Sequence, residues 1–408
     1  DEQGGEDEGG CNGSDHHGLL KRYTATPWQG RRPCRESSAR VSRSSRGWGA
    51  RHAAGIIAGT AICVTTVTAA GAEDATAPDA ITLASWNAEW LADAAALERA
   101  DYWPHCAAAG WPNQKPVPSL PFCDVYRRHG IANGTTYRDV KLGAVRGVLD
   151  LLADRRTDVV LVQEVGSAEA LRAVLPPGYR VLCATTRDDA QNLGIAVRES
   201  FAPEAMRCEE VRSLSLEDVP DIARPLRRGL ALSFVRAGQR FVVLTVHLKA
   251  GCPVGPLDRS ADGHCRLLVR QVPRLEAWLE ARAAAGESFA VVGDWNRDLE
   301  AEVRGGYRAR NDGSDRADPA RPEQIRNVFP ELDDGEPEAS ALRLAATDRG
   351  AAVHGACHPH LDQAVVSRTL LAQLEPASLV AGLAPARLIP VPASASDHCV
   401  LEMRWVFR

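Results

Sequence analysis

From residue 81 onward, short apolar runs rich in β-branched and aromatic residues alternate with longer stretches whose apolar positions recur at helical spacing. The runs Ile81 to Trp86, Val159 to Val162, Tyr179 to Cys183, Leu193 to Val197, Leu230 to Phe234, Phe241 to Val246, Phe289 to Val292, Gln363 to Val366 and Val400 to Val406 are bounded by turn formers and predict strands. Val140 to Leu152 places Val140, Ala144, Val145, Val148, Leu149 and Leu152 on one helical face, and Leu267 to Ala281 does the same with Leu268, Val272, Leu275 and Leu279. The alternation predicts an α/β fold. Neighbouring runs such as 230–234 and 241–246 are close enough for hairpins, so two sheets are expected. Tyr102 to Thr136 breaks the pattern with a Pro- and Gly-rich insertion holding Cys106 and Cys123, which predicts a disulfide-pinned surface segment. Arg304 to Pro322, charged and Gly-containing, predicts a loop beside Asp294.

The first 72 residues lack this periodicity. They open acidic (Asp1, Glu2, Glu6, Asp7, Glu8) and turn basic from Arg31 to Arg51, so no packed core is expected over 1–52. Ala53 to Ala70 is uncharged, follows Arg43, Arg46 and Arg51, and leads into small residues at Ala70 and Ala72. That describes a secretory signal peptide over 53–72, cleaved near Ala72. An N-terminal membrane anchor is the alternative, weakened by glycines and threonines that dilute the apolarity. Residues ahead of about position 41 sit awkwardly upstream of a signal, which suggests a start near Val41. A linker over 73–80 then leads into one domain, 81–408.

Cysteine usage agrees with export to the exterior or the periplasm. Beyond the proposed cleavage point lie eight cysteines, an even set without a Cys-x-x-Cys pair, which favours disulfides over zinc. Nearest-neighbour pairing would join 106 to 123, 183 to 208, 252 to 265 and 357 to 399, one of many possible connectivities. Charge changes the picture less. Residues 1–72 hold 9 of the 48 basic and 7 of the 53 acidic groups, so the remainder carries 39 against 46, a net of −7. A broad nucleic-acid footprint is therefore not expected, although Arg224, Arg227 and Arg228, and Arg308 with Arg310, are either a local groove or simply solvated arginines.

Polar residues cluster where the apolar runs end. In order these are Trp86-Asn87-Ala88-Glu89, Gln163-Glu164-Val165, Val246-His247-Leu248, Gly293-Asp294-Trp295-Asn296, Leu361-Asp362 and Ser396-Asp397-His398. A carboxylate just past a buried strand suits a hard cation such as Mg²⁺, which prefers oxygen and needs few protein ligands. Asp and Asn two apart along an extended segment can orient water, and a His held by a carboxylate has a fixed tautomer. Each motif alone is equally what a capped turn or a solvated strand end would show.

Together, in this order, the motifs resemble the endonuclease/exonuclease/phosphatase superfamily, which includes deoxyribonuclease I; the similarity covers about Ile81 to Phe407. The resemblance implies a four-layer α/β sandwich of two packed mixed β-sheets flanked by helices, with the site at one rim. It implies Mg²⁺ or Mn²⁺ held by Asn87 and Glu164 with Asp397 as a further contact. It gives His247 to the scissile phosphate, Asp294 and Asn296 to the attacking water and phosphate oxygens, and His398, paired with Asp362, to general-base or electrostatic duty. Glu89 matches members reading Asn-x-Glu after the first strand. One departure stands out: where deoxyribonuclease-like members supply a carboxylate to support the first histidine, this chain has Gln191-Asn192, leaving His247 with a neutral partner or with Asp188 or Asp189.

The expectation is a secreted, metal-dependent phosphodiesterase, with nucleic acid the favoured substrate. A phosphatase or phospholipase C-like enzyme on phosphoinositides or sphingomyelin is the alternative; for a bilayer substrate, Trp103, Trp111 and Phe122 are the candidate aromatic contacts. A non-catalytic binding module on the same fold is the third reading.

Overall fold

Successive side chains of each strand point to opposite faces of its sheet, so each strand contacts two layers. The computed structural model describes residues 80–222, 224–236, 238–257, 261–305, 325–335, 341–350 and 357–408. The proposed extension and signal peptide, residues 73–79 of the linker, and residues 306–322 of the expected loop, Arg308 and Arg310 among them, lie outside the described residues, while Ala80 already belongs to the first strand. In chain order the strands are β1 (Ala80–Leu91), β2 (Val159–Val165), β3 (Tyr179–Ala184), β4 (Asn192–Arg198), β5 (Glu204–Val211), β6 (Gly229–Arg236), β7 (Gln239–His247), β8 (Ser288–Asp294), β9 (Leu342–Leu344), β10 (Ala346–Asp348), β11 (Asp362–Ser367), β12 (Pro385–Ile389) and β13 (Val400–Val406). They form a seven-stranded sheet, β10-β12-β13-β1-β2-β4-β3, and a six-stranded sheet, β5-β6-β7-β8-β11-β9. Both are mixed: β1 runs parallel to β2 and β7 parallel to β8, while β1–β13 and β8–β11 are antiparallel.

Ile81, Leu83, Val159 and Leu161 point from the larger sheet into a core shared with Leu230, Leu232, Val243, Ala290, Val292, Ala364 and Val366 of the smaller one. Their neighbours Ala84, Trp86, Val160 and Val162 face outward, onto the helix Gly143–Asp154 through Val145, Val148, Leu149 and Leu152. On the opposite side Leu244, Val291 and Val365 receive the helix Gly263–Ala284 through Leu268, Val272 and Leu275. The order helix, sheet, sheet, helix is the four-layer α/β sandwich expected. Full burial of each such aliphatic side chain contributes about 1.5–3 kcal/mol, which is why the two helical faces survive an exposed polar side. No helix among the described residues is long and apolar enough to cross a membrane.

At the rim the shared core turns polar. Gln163 of β2 donates to Ser85 Oγ of β1 at 3.0 Å and to Thr245 Oγ1 of β7 at 2.8 Å, tying the two sheets together directly beneath the motif residues.

All eight cysteines pair as nearest neighbours: Cys106–Cys123, Cys183–Cys208, Cys252–Cys265 and Cys357–Cys399. Cys183–Cys208 staples β3 of one sheet to β5 of the other. The 102–136 insertion is pinned as expected but is not a bare loop. It carries the short helices Tyr102–Ala108, Cys123–Arg127 and Gly134–Thr136, and Tyr102, Trp103 and Tyr126 pack as an aromatic group with Tyr137. Trp103 is therefore core, Trp111 is partly buried against the same cluster, and Phe122 packs edge-on against Trp90; none of the three forms an exposed aromatic hairpin for a bilayer.

Candidate active site

Strand register brings the motifs together. His247 ends β7 opposite Asp294 at the end of β8, and Asp294 pairs in turn with Asp362 at the start of β11, so three chemical groups line up across one rim of the smaller sheet. In the facing sheet, Asn87 pairs with Gln163, Glu164 follows it, and His398 precedes β13. Gly293 is required where it stands: its φ is +142° and a Cβ would collide with the Val246 carbonyl oxygen, so only glycine lets β8 approach β7 here.

The backbone at the rim is strained. Glu89, Trp90, Glu164 and Asn296 all have φ between 45° and 60°, and the β1–β2 register shifts between Asn87 and Leu91. Each such conformation in a non-glycine residue costs about 1–3 kcal/mol, and the surrounding contacts hold it. Asn87 Oδ1 accepts from the Glu89 N–H at 2.9 Å, and Glu164 Oε2 accepts from the Trp90 N–H at 3.1 Å.

The side chains then converge. Asn87 Nδ2 donates to Glu164 Oε1 at 3.2 Å and to Asp294 Oδ2 at 3.0 Å, and lies 3.5 Å from His398 Nε2. Asn296 Nδ2 donates to the same Asp294 Oδ2 at 3.0 Å. His247 Nε2 sits 3.6 Å from Glu164 Oε1 and 3.4 Å from Asp294 Oδ2. His398 Nδ1 bonds Asp362 Oδ2 at 2.7 Å, the pairing expected from the sequence, which leaves Nε2 facing Asn87 and Asp294. Ser396 completes the clamp by donating to the Asn87 carbonyl at 2.6 Å and accepting from the His398 N–H at 2.9 Å.

Burial divides the titrating groups. It pushes the Glu164 and Asp294 carboxyls above the ordinary range. Burial, then the charges of Arg227, His398 and Lys249, holds His247 well below the usual histidine range, so that imidazole is neutral. At His398 burial opposes the charge, yet Asp362 and then Asp294 outweigh it and hold the ring protonated well above that range. One neutral and one cationic imidazole thus face the same carboxylates.

Asp294, Asp362 and His398 are all buried, and their ligand atoms lie within 4.8 Å of one another, close enough to share a cation. This is not the set expected from the sequence. Glu164 is adjacent, but Asn87 presents its NH₂ rather than its oxygen, and Asp397 stands half-exposed at the mouth, 3.9 Å from His398 Nε2 and 3.8 Å from His358. Divalent-cation chemistry nonetheless fits the donors: Asp362 Oδ1 is buried with no hydrogen-bond partner among the described residues, and Glu164 and Asp294 are carboxylates that burial makes costly to ionise.

The support expected for His247 is absent. Its Nδ1 has no hydrogen-bond partner among the described residues, and none of Gln191, Asn192 and Asp189 bonds the ring. Gln191 instead accepts from Arg227, which also donates to the His247 carbonyl at 2.8 Å and to the Leu248 carbonyl. Arg227 is therefore spent on holding the strand end rather than on a ligand. Asp189 is engaged by Lys115 and Arg224, and Asp188 lines a neighbouring cavity.

Two residues near the site escaped the sequence reading. His358 forms a backbone bridge with His398, its ring 6.1 Å away, and its only signal is its place between Cys357 and Asp362. Lys141 lies on the buried face of a helix whose first turn is π-helical, Tyr137–Leu142, where a wide turn redirects side chains. Its Nζ donates to the Ala395 carbonyl at 2.6 Å, anchoring the Ser396-Asp397-His398 loop, and sits 3.8 Å from Glu89 Oε2. Burial lowers its pKa to about 8. An ordinary lysine holds its proton to about 10.4, so the unfolded chain binds more protons between these values. The cost of burying the charge is thus present below pH 8 and fades as pH rises toward 10.4. Lys141→Met is expected to unfold at an equal or higher temperature than the parent at pH 7, with the difference shrinking by pH 9.5. Thermal melts of both proteins across that pH range check this.

No protein-family model matches the chain, and no curated protein matches it. Among solved structures it is similar to truncated TDP2 of Caenorhabditis elegans, at 12% identity over 81% of this chain and 98% of that one, with a TM-score of 0.43. It is similar to an endonuclease/exonuclease/phosphatase from Bacteroides vulgatus, at 14% identity over 81% and 99%, TM-score 0.42. A family protein of the same description from Leptotrichia buccalis matches at 11% identity over 80% and 100%, TM-score 0.41.

Proposed function

We propose that this chain is an exported, divalent-metal-dependent phosphodiesterase of the endonuclease/exonuclease/phosphatase type, and that nucleic acid is its substrate. The observation that carries the reading is the convergence of six separate motifs on one buried rim, where Asp362 grips His398 at 2.7 Å and Asn87 bridges Glu164 to Asp294. A binding module has no need of a charged His–Asp pair and three buried carboxylates.

Glu164 and Asp294, with the unpartnered Oδ1 of Asp362, would hold Mg²⁺ or Mn²⁺, which would supply Lewis-acid polarisation of the phosphate when bound. The protein's own groups divide the remaining work. Asp294, fixed by the Asn296 N–H at 2.8 Å and by the Asn296 amide, orients a water and takes its proton. Neutral His247 donates a hydrogen bond to a non-bridging phosphate oxygen. His398, cationic through Asp362, stabilises the negative charge that develops at phosphorus.

The packed state of Trp103 and Phe122 weighs against a bilayer substrate, because a membrane-reaching hairpin would leave them free. The four disulfides support an oxidising compartment. Substrate class is tested by giving the protein plasmid DNA, RNA, sphingomyelin vesicles and inositol phosphates in parallel with Mg²⁺ or Mn²⁺. Cleavage of DNA or RNA is expected; cleavage of sphingomyelin or inositol phosphates alone would overturn the nucleic-acid assignment.

A further inference from the structure

A cavity of about 880 Å³ opens between the disulfide-pinned insertion, the β3–β4 turn and the segment ahead of β6. It adjoins the candidate site through one layer of side chains: Trp90 gives its backbone N–H to Glu164, and its ring packs against Phe122 of the cavity wall at 5.4 Å. Lys115, also in the wall, lies over both rings, 5.1 Å from Trp90 and 5.4 Å from Phe122.

The wall is cationic in an unusual way. Lys115, Arg187 and Arg224 all face the single carboxylate of Asp189, at 3.0, 3.6 and 2.7 Å. One acid cannot neutralise three bases. Arg187 is the telling member: its side chain is only a tenth exposed, its Nη2 donates to the Pro225 carbonyl at 2.6 Å, and its buried Nη1 has no hydrogen-bond partner among the described residues. A largely buried guanidinium with a spare donor is costly unless an acceptor arrives. Arg228 closes the row but is answered by Glu210 and Glu217, and Asp188 and Glu217 in the wall limit the pocket to a localised anion rather than a long polyanionic track.

We infer that this cavity is an anion subsite of the enzyme, taking a second phosphate group of the substrate next to the one being cleaved, with Arg187, Arg224 and Lys115 as its donors. The assignment of that phosphate to a substrate rests on the phosphodiesterase reading above; the existence of the pocket as a phosphate site does not. Guanidinium forks match phosphate oxygens, and the apolar side formed by Phe122, Val117 and Pro118 leaves room for the group carrying the phosphate. This explains why the Arg224-Pro-Leu-Arg-Arg228 segment, spread over three separate tasks, is basic at all.

The test uses phosphate itself. Inorganic phosphate is titrated calorimetrically into the full disulfide-bonded protein in the presence of chelator, and Arg187→Met and Arg224→Gln are each expected to weaken its binding at least tenfold. Arg224 is half-exposed, so its variant keeps the test alive if Arg187→Met fails to fold. In the companion assay, turnover of bis(p-nitrophenyl) phosphate, which has no second phosphate, stays within twofold of wild type in both variants. kcat/KM falls about tenfold on a dinucleotide bearing a terminal phosphate. A glycerophosphoinositol phosphate forms the other arm, and selective loss there instead would assign the second phosphate to a lipid head group. Equal phosphate affinity in wild type and both variants, or equal losses on substrates with and without the second phosphate, overturns the subsite. Phosphate binding that depends on Arg187 in a protein that cleaves nothing would overturn the phosphodiesterase reading and leave the anion pocket standing.

Discussion

His398→Ala is expected to lower kcat on a phosphodiester substrate by three to four orders of magnitude, about 4–5.5 kcal/mol of transition-state stabilisation, with little change in KM. The reason is geometric. His398 Nε2 is the imidazole atom facing Asn87 and Asp294, and Asp362 holds the other nitrogen at 2.7 Å, fixing orientation and charge together. Asp362→Asn should therefore cost about 100- to 1000-fold while the ring stays in place, because the amide cannot hold the cation. The double variant should be scarcely worse than His398→Ala, since the two residues act as a unit. Single-turnover rates on one substrate across the four proteins measure this; additive losses would mean that Asp362 acts elsewhere.

The second large effect concerns the Cys357–Cys399 bridge, replaced by serines. Its loop spans 42 residues, and closing a loop of that length removes denatured-state entropy worth about 4 kcal/mol in the chain-entropy account. Its position makes the consequence functional as well. Cys399 adjoins His398, and Cys357 adjoins His358, whose backbone bridges to His398 and donates to the Asp397 carbonyl at 2.7 Å. The serine pair should lower the unfolding temperature by several degrees and turnover by at least tenfold at temperatures where the protein remains folded. A full-rate enzyme that merely melts earlier would show that the bridge does not position the His398 loop. Breaking Cys183–Cys208, which lies at the far sheet edges, should cost stability alone.

Much of this architecture is legible in the residues. Central strands such as β2 and β8 announce themselves as apolar runs, because burial on both faces leaves no alternation to misread. The edges are not legible. Glu204–Val211 forms β5 despite its charged alternate positions, since one face is open to solvent and Cys208 ties the other to the neighbouring sheet. β9 and β10 are three residues each, too short for any periodicity.

The site was legible as a set of residue types at strand ends, and the family resemblance added the Asp362–His398 pairing. What sequence cannot carry is direction. Nothing in Asn87-Ala88-Glu89 announces the left-handed backbone that turns the Asn87 amide NH₂ toward Asp294 and commits its oxygen to the Glu89 N–H. Nor does Gln191-Asn192 announce that its side chains would serve Arg227 and the β3–β4 turn instead of His247. Lys141 was hidden for a different reason: a lone lysine in an amphipathic helix reads as surface, and only the wide π turn carries it inside.

We propose that this rim cleaves phosphodiester bonds with a divalent cation. The decisive assay follows plasmid DNA and bis(p-nitrophenyl) phosphate with the disulfide-bonded protein in Mg²⁺, in EDTA, and in Mg²⁺ with His398→Ala. Cleavage is expected in the first condition and, in the other two, rates at least a thousandfold lower, with activity restored when Mg²⁺ is returned to the EDTA sample. Cleavage that survives both EDTA and the loss of His398 would rule out metal-dependent catalysis at this rim.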